Sequence, residues 1–125
     1  MSDVVADSRV VAKWVLTEPD TAKALQVIAD VTAAGGSLIV LDLAFPEVTN
    51  AIGKQHHRSL LTLDDARTRL DNLLALTIQT EPARPLLQAA LEIGARYHRS
   101  VYDAAFVALA RHLGIRGVTS DEPLF

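Results

Sequence analysis

Apolar residues in this chain alternate between two rhythms. Val4-Val5-Ala6 is a run too brief for a helix, and it meets Asp7 and Ser8, so it predicts a buried strand ending at a polar turn. Val10, Val11, Trp14 and Val15 then recur at helical spacing. That helix should stop near Thr17-Glu18-Pro19, because a residue before proline avoids the α region. A second helix is expected from Asp20 to Ala33, with Ala24, Leu25, Ile28 and Val31 facing inward and Gly35-Gly36 breaking it. Ser37 to Leu41 predicts the next strand and about Leu43 to His57 the next helix.

Thr62-Leu-Asp-Asp65 opens another helix in the manner of a capping box, with aspartate in place of the usual Glu or Gln. Its stripe of Ala66, Leu70, Leu73, Leu74 and Thr77 has the period of one buried face. Ile78-Gln-Thr80 is a weak strand signal ahead of Glu81-Pro82, and Leu87, Ala90, Leu91 and Gly94 mark a further helix. Val101 to Leu113 gives the last helix, closed by Gly114 just past its end, and Ile115 to Thr119 the last strand. Short apolar strands separated by helices are the sequence form of an α/β fold, a parallel sheet with helices on both faces. In such a sheet the turns after the strands gather on one edge, where ligands bind.

Composition narrows the picture. At 125 residues the chain is one domain with a real core, and 50% hydrophobic content is globular. The absence of cysteine removes disulfides and thiolate metal sites and fits a reducing, cytoplasmic setting. The N-terminus lacks the basic region and apolar stretch of a signal peptide, and no apolar run approaches the roughly 20 residues that span a bilayer, so no membrane association is expected. A net charge of −3 argues against a strongly basic nucleic-acid binder while leaving room for a local basic rim.

The acids fall at corresponding places in the repeating scheme. Asp7 follows the first strand, Glu47 lies early in the helix after the second, Asp103 is in the first turn after Ser100, and Asp121 follows the last strand. Each has an ordinary explanation when taken alone. Asp7 can cap a helix, Ser100-x-x-Asp103 is close to a capping box, Glu47 can be a solvated acid and Asp121 a turn residue. Together they converge on one sheet edge. Two like charges about 4 Å apart repel by about 4 kcal/mol at an effective dielectric of about 20, so such a cluster takes up protons or binds a cation. An all-oxygen set suits a hard ion, Mg²⁺ or Mn²⁺, whose natural chemistry here is phosphodiester hydrolysis by metal-activated water.

Four ordered blocks, V-V-A-D-S-R-V-V-A-K-W, F-P-E-V-T-N-A-I, S-V-Y-D-A-A-F-V-A-L-A and G-V-T-S-D, resemble the PIN-domain ribonucleases, and most of all the toxin half of VapBC-type toxin–antitoxin pairs. The resemblance runs from Val4 to Asp121 and implies a single PIN-like domain over residues 1–125, a three-layer α/β/α arrangement around a central parallel sheet of four or five strands. It implies a Mg²⁺- or Mn²⁺-dependent endoribonuclease with catalytic acids at Asp7, Glu47, Asp103 and Asp121. The metal would sit on Asp7, Asp103 and Asp121, with Ser8, Asn50 and Thr119 in supporting places. An RNA substrate, a small VapB-type antitoxin and a homodimer are implied as partners. Arg9 departs from the family pattern, which commonly has a small polar residue there. It could pair with Asp7 or Asp121 and compete with the metal, or meet a substrate phosphate or a partner.

Other residues add less. His56 and His57, about 100° apart on a helix, rarely chelate one ion and read as a polar helix end. Lys13, Lys54, Arg58, Arg96 and Arg99 are candidates for a basic rim meeting RNA phosphates. Tyr97 and Tyr102 are read as packing against the core or its rim in preference to stacking on bases, and Trp14 as core or interface. No phosphate-binding glycine loop occurs, and Ser8 has no histidine partner in a hydrolase pattern. The rival readings are a catalytically impaired module in which Arg9 replaces the metal and the domain only binds RNA or protein, and a phosphohydrolase acting on small esters.

Overall fold

The computed structural model describes residues 3–16 and 21–119. The expected helix stop at Thr17-Glu18-Pro19 and the acid Asp121 lie outside the described residues. Chain order is β1 (Val4–Ala6), α1 (Ser8–Val15), α2 (Thr21–Ala33), β2 (Leu38–Leu41), α3 (Ala44–His57), α4 (Leu63–Leu74), β3 (Gln79–Glu81), a short 3-10 turn at Arg84–Leu86, α5 (Leu87–Tyr97), α6 (Val101–Leu113) and β4 (Gly117–Val118). The sheet is wholly parallel in the order β3-β2-β1-β4, with Val5 opposite Ile39 on one side and Gly117 on the other.

Strands β1 and β2 are apolar throughout because both sheet faces are covered. Their side chains alternate between the layers with period two. Val5, Ile39 and Leu41 join Ala90 and the buried run Ala104–Ala110 on the α5–α6 side. Ala6 and Val40 join Val10, Val11, Val15, Val48, Ile52 and Leu73 on the side of α1, α3 and α4. The expected three-layer α/β/α architecture is therefore present, with four strands among the described residues.

Some leucines do not follow the stripes. Ala24 and Val31 of α2 are buried, but Leu25 is exposed. In α4 Ala66 and Leu73 are buried while Leu74 is 64% exposed, and in α5 Ala90 is buried while Leu87 and Leu91 are exposed. Thr77 lies past the end of α4 and is exposed. Helical spacing marks a wide arc, whereas each of these helices meets the body along a narrow line where small side chains allow close approach. Gly94 shows how tightly the turn after α5 folds back on its own helix. A Cβ there would stand 2.8 Å from the backbone oxygen of Arg99.

Both outer strands are shorter or later than the sequence predicts. The third is Gln79–Glu81 and not Ile78–Thr80, and the fourth only Gly117–Val118. The 3-10 turn was not foreseen. It is anchored by Asp42, just past β2, whose Oδ1 accepts the Ala83 N–H at 3.1 Å.

Candidate functional site

Asp7 ends β1 and caps α1, its Oδ1 accepting the Arg9 backbone N–H at 3.4 Å. It is the one buried polar residue among those described, 6% exposed. A buried carboxylate needs partners, and this one has several. Thr119 Oγ1 donates to Oδ2 at 2.9 Å, Ser8 Oγ reaches Oδ1 at 3.3 Å, and Arg9 Nε lies 3.3 Å from Oδ2. The cap of α1 and the centre of this hydrogen-bonded cluster thus coincide in one side chain.

Glu47 in the first turn of α3 comes to the same place. Ser8 Oγ is 3.2 Å from its Oε2, so one hydroxyl stands between two carboxylates 40 positions apart (47 − 7). That hydroxyl has a single proton and can serve one acid at a time. Burial of the Glu47 carboxyl is the main cause that pushes its pKa up, partly offset by the Ser8 hydrogen bond and the Arg9 charge and reinforced by Asp7 and Asp103. The residue as a whole keeps solvent exposure, so the shift acts on a carboxylate end that is screened in part.

Asp103 arrives on α6, whose N-cap Ser100 accepts the Asp103 backbone N–H at 3.1 Å. Its carboxylate is joined to the others through Arg9, whose terminal nitrogen donates to Asp103 Oδ1. One guanidinium therefore links Asp7 to Asp103. Sequence reasoning left the partner open between Asp7 and Asp121; the observed pair is Asp7 and Asp103. Asn50 is exposed on α3 with no side-chain hydrogen bond to these acids among the described residues.

The recess lined by Asp7, Ser8, Glu47, Tyr102 and Phe106 holds about 10 Å³, the room of a single water or small ion. All-oxygen donors suit a hard cation, and a guanidinium wedged between two of the acids already answers their demand for positive charge. Among the described residues no three His, Asp or Glu side chains form a ready-made ligand group. Seating a divalent ion on Asp7 and Asp103 therefore requires Arg9 to swing aside, which its 39% exposed side chain permits. With that movement the residues fit Mg²⁺ or Mn²⁺.

A PIN-domain family model matches residues 4–124. The chain belongs to the PIN-domain family. A Pyrobaculum aerophilum protein named Ribonuclease VapC3 is 29% identical over 123 residues, 97% of this chain and 91% of that protein. Among solved structures, Mycobacterium tuberculosis VapC20, described as a sarcin-ricin loop cleaving toxin, superposes with a TM-score of 0.73 at 16% identity, covering 94% of this chain and 89% of that one. PAE2754 from Pyrobaculum aerophilum gives a TM-score of 0.70 at 19% identity over 96% of this chain and 81% of that chain. These likenesses bear out the fold expected from the four sequence blocks.

The remaining candidates separate. His56 Nδ1 is 2.9 Å from the Leu61 carbonyl oxygen, and its ring sits 5.9 Å from that of His57, a polar helix end as expected. Trp14 Nε1 donates to the Ala24 carbonyl at 2.8 Å and ties α1 to α2. The tyrosines do not pack as expected, since Tyr97 is 54% and Tyr102 60% exposed. The basic rim is split. Lys13 lines a groove with Lys23 and Thr119, Arg96 and Arg99 lie by α5 and α6, and Lys54 and Arg58 stand exposed at the end of α3. Among the described residues no helix is long and apolar enough to cross a membrane.

Proposed function

We propose that this PIN-domain protein is a Mg²⁺- or Mn²⁺-dependent endoribonuclease, the toxin of a type II toxin–antitoxin pair. The convergence of Asp7, Glu47 and Asp103 from three separate elements, tied together by Ser8 and Arg9, carries the reading. The ribonuclease name of the relative aligned over nearly the whole chain supports it. Asp7, Asp103 and Asp121 would hold the ion, which when bound supplies charge neutralisation for the scissile phosphate and acidity for water.

The chain's own residues would do the rest. Ser8 and Thr119 fix the Asp7 carboxylate through both of its oxygens. Glu47, whose pKa is raised chiefly by burial of its carboxyl, would take the proton of the attacking water at Oε2. Arg9, displaced from the acids, is left beside the phosphate, which its guanidinium can meet through two parallel hydrogen bonds. The exposed Leu87 and Leu91 on α5 offer apolar surface for a second copy or a small antitoxin to cover.

Purified protein should cleave RNA with Mn²⁺, lose that cleavage in EDTA, and lose it again in the folded Asp7→Asn and Asp103→Asn variants. Undiminished cleavage in EDTA would sink the proposal. The Arg9 ion pairs favour one alternative, a module that binds RNA or protein with the arginine in permanent residence. Calorimetry without saturable Mn²⁺ binding in both the wild type and Arg9→Ala would favour that module.

A further inference from the structure

Asp103 faces two ways. Its carboxylate is tied to Arg9 at the acidic site, and the same residue lines a groove of about 370 Å³ between α5 and α6 with Ile93, Tyr97, Arg99, Val107 and Arg111. Past Tyr97 and Arg111 the groove opens into a wider trough of about 690 Å³ that adds Arg96 and Glu92. The floor is apolar, and the rim carries three arginines against Glu92 and Asp103.

Arg96, Arg99 and Arg111 are all exposed, and none has an ion pair or side-chain hydrogen bond among the described residues. Three arginines without ion pairs, facing Glu92 and an Asp103 already engaged by Arg9, leave a net positive groove on a chain whose net charge is −3. The aromatic ring between them is more than half exposed. Exposed aromatic faces alternating with arginines are what single-stranded nucleic acid requires. Bases of any kind stack on the ring, and guanidinium groups meet the phosphates.

We infer that the α5–α6 groove is a subsite for single-stranded RNA flanking the cleaved bond. In it Tyr97 stacks a base and Arg99 and Arg111 bind backbone phosphates, leading the strand to Asp103. This rests on the nuclease reading for the choice of RNA. Continuity with Asp103 favours RNA over a peptide, because a strand lying across the acids must leave past this residue.

The test is fluorescence anisotropy of a labelled single-stranded RNA with the full chain in EDTA, across a salt series. Arg99→Ala with Arg111→Ala should lower the slope of log K against log salt by about 0.7 per lost phosphate contact. Tyr97→Ala should weaken binding about tenfold while Tyr97→Phe, which keeps the stacking face, retains it. Arg67→Ala, on the outer face of α4, should change nothing. In Mn²⁺ the groove variants should raise KM for RNA with little change in kcat. RNA that is bound through these residues but never cut upholds the groove and removes the nuclease reading. RNA cut normally, with affinity and salt slope untouched in all the groove variants, overturns the groove. So does a loss confined to self-association in sedimentation, which would make this face a protein-docking surface.

Discussion

Replacing Arg9 with alanine should move apo stability and metal affinity in opposite directions. The Arg9 Nε–Asp7 Oδ2 separation is 3.3 Å, and a second nitrogen binds Asp103. At such a distance one pair of unit charges attracts by about 1.3 kcal/mol in bulk water and about 5 kcal/mol at an effective dielectric of about 20. The arginine side chain is 39% exposed, which places the net value near the lower figure, about 1 kcal/mol per pair. Helix propensity does not intervene, because alanine and arginine are both good helix formers.

Without metal the variant should lose about 2 kcal/mol, equivalent to about 5–10 °C of melting temperature for a domain of this size. With Mn²⁺ the same energy no longer has to be overcome to expel the guanidinium. The dissociation constant should fall about 30-fold, since each 1.4 kcal/mol is about a factor of ten. Calorimetry gives that constant directly, and the melting temperatures should converge: the variant melts below wild type in EDTA and level with it in saturating Mn²⁺, because a ligand that binds only the folded state stabilises it by mass action. A variant that binds Mn²⁺ no more tightly than wild type would refute the idea that arginine and metal contend for the same carboxylates.

Other outcomes follow from neighbouring features. Glu47 has its pKa raised in the folded state, so its contribution to stability is full below the unfolded value and is lost as pH rises through the folded one. Glu47→Gln should therefore gain on wild type as pH rises above the ordinary glutamate range, read by urea unfolding at a series of pH values; parallel curves would remove the effect. Gly94→Ala forces a Cβ to 2.8 Å from the Arg99 carbonyl oxygen, and the strain of about 1–3 kcal/mol outweighs the roughly 1 kcal/mol gain in helix propensity. Because Arg99 leads directly into Ser100 and Asp103, both the urea midpoint and the cleavage rate should drop, and a stabilised G94A would contradict the close packing. Asp42→Ala leaves the Ala83 N–H without its carboxylate partner and should cost about 1–2 kcal/mol with Mn²⁺ affinity unchanged.

How far the fold could be read from sequence depended on burial. Val4–Ala6 and Leu38–Leu41 announce themselves because both faces of the inner strands are covered, which leaves no polar position to confuse the period. Gln79–Glu81 is an edge strand with exposed side chains and nothing apolar to mark it. Leucines 25, 74 and 91 show the limit of helical periodicity, which gives the direction of a face but not the width of the contact. At the site, Asp7 and Glu47 were legible from their places after strands. Asp42 obeys the same positional rule, yet its carboxylate accepts the Ala83 N–H and meets none of the clustered acids, so position after a strand does not by itself mark the site. The Arg9–Asp103 pair was out of reach, because nothing local joins residues 94 apart in the chain.

The two rims of the sheet constrain how the protein can meet others. On one side lies Gln79-Thr80-Glu81, polar and followed at once by Pro82, which has no N–H to offer an incoming strand. On the other, β4 is two residues long, and Thr119 immediately after it is tied down to Asp7. Among the described residues neither border offers a long apolar ladder on which a foreign strand could zip. Among the described residues that leaves the exposed faces of the helices as the ground for contact with other chains, and side chains projecting from a helix can be loosened one residue at a time.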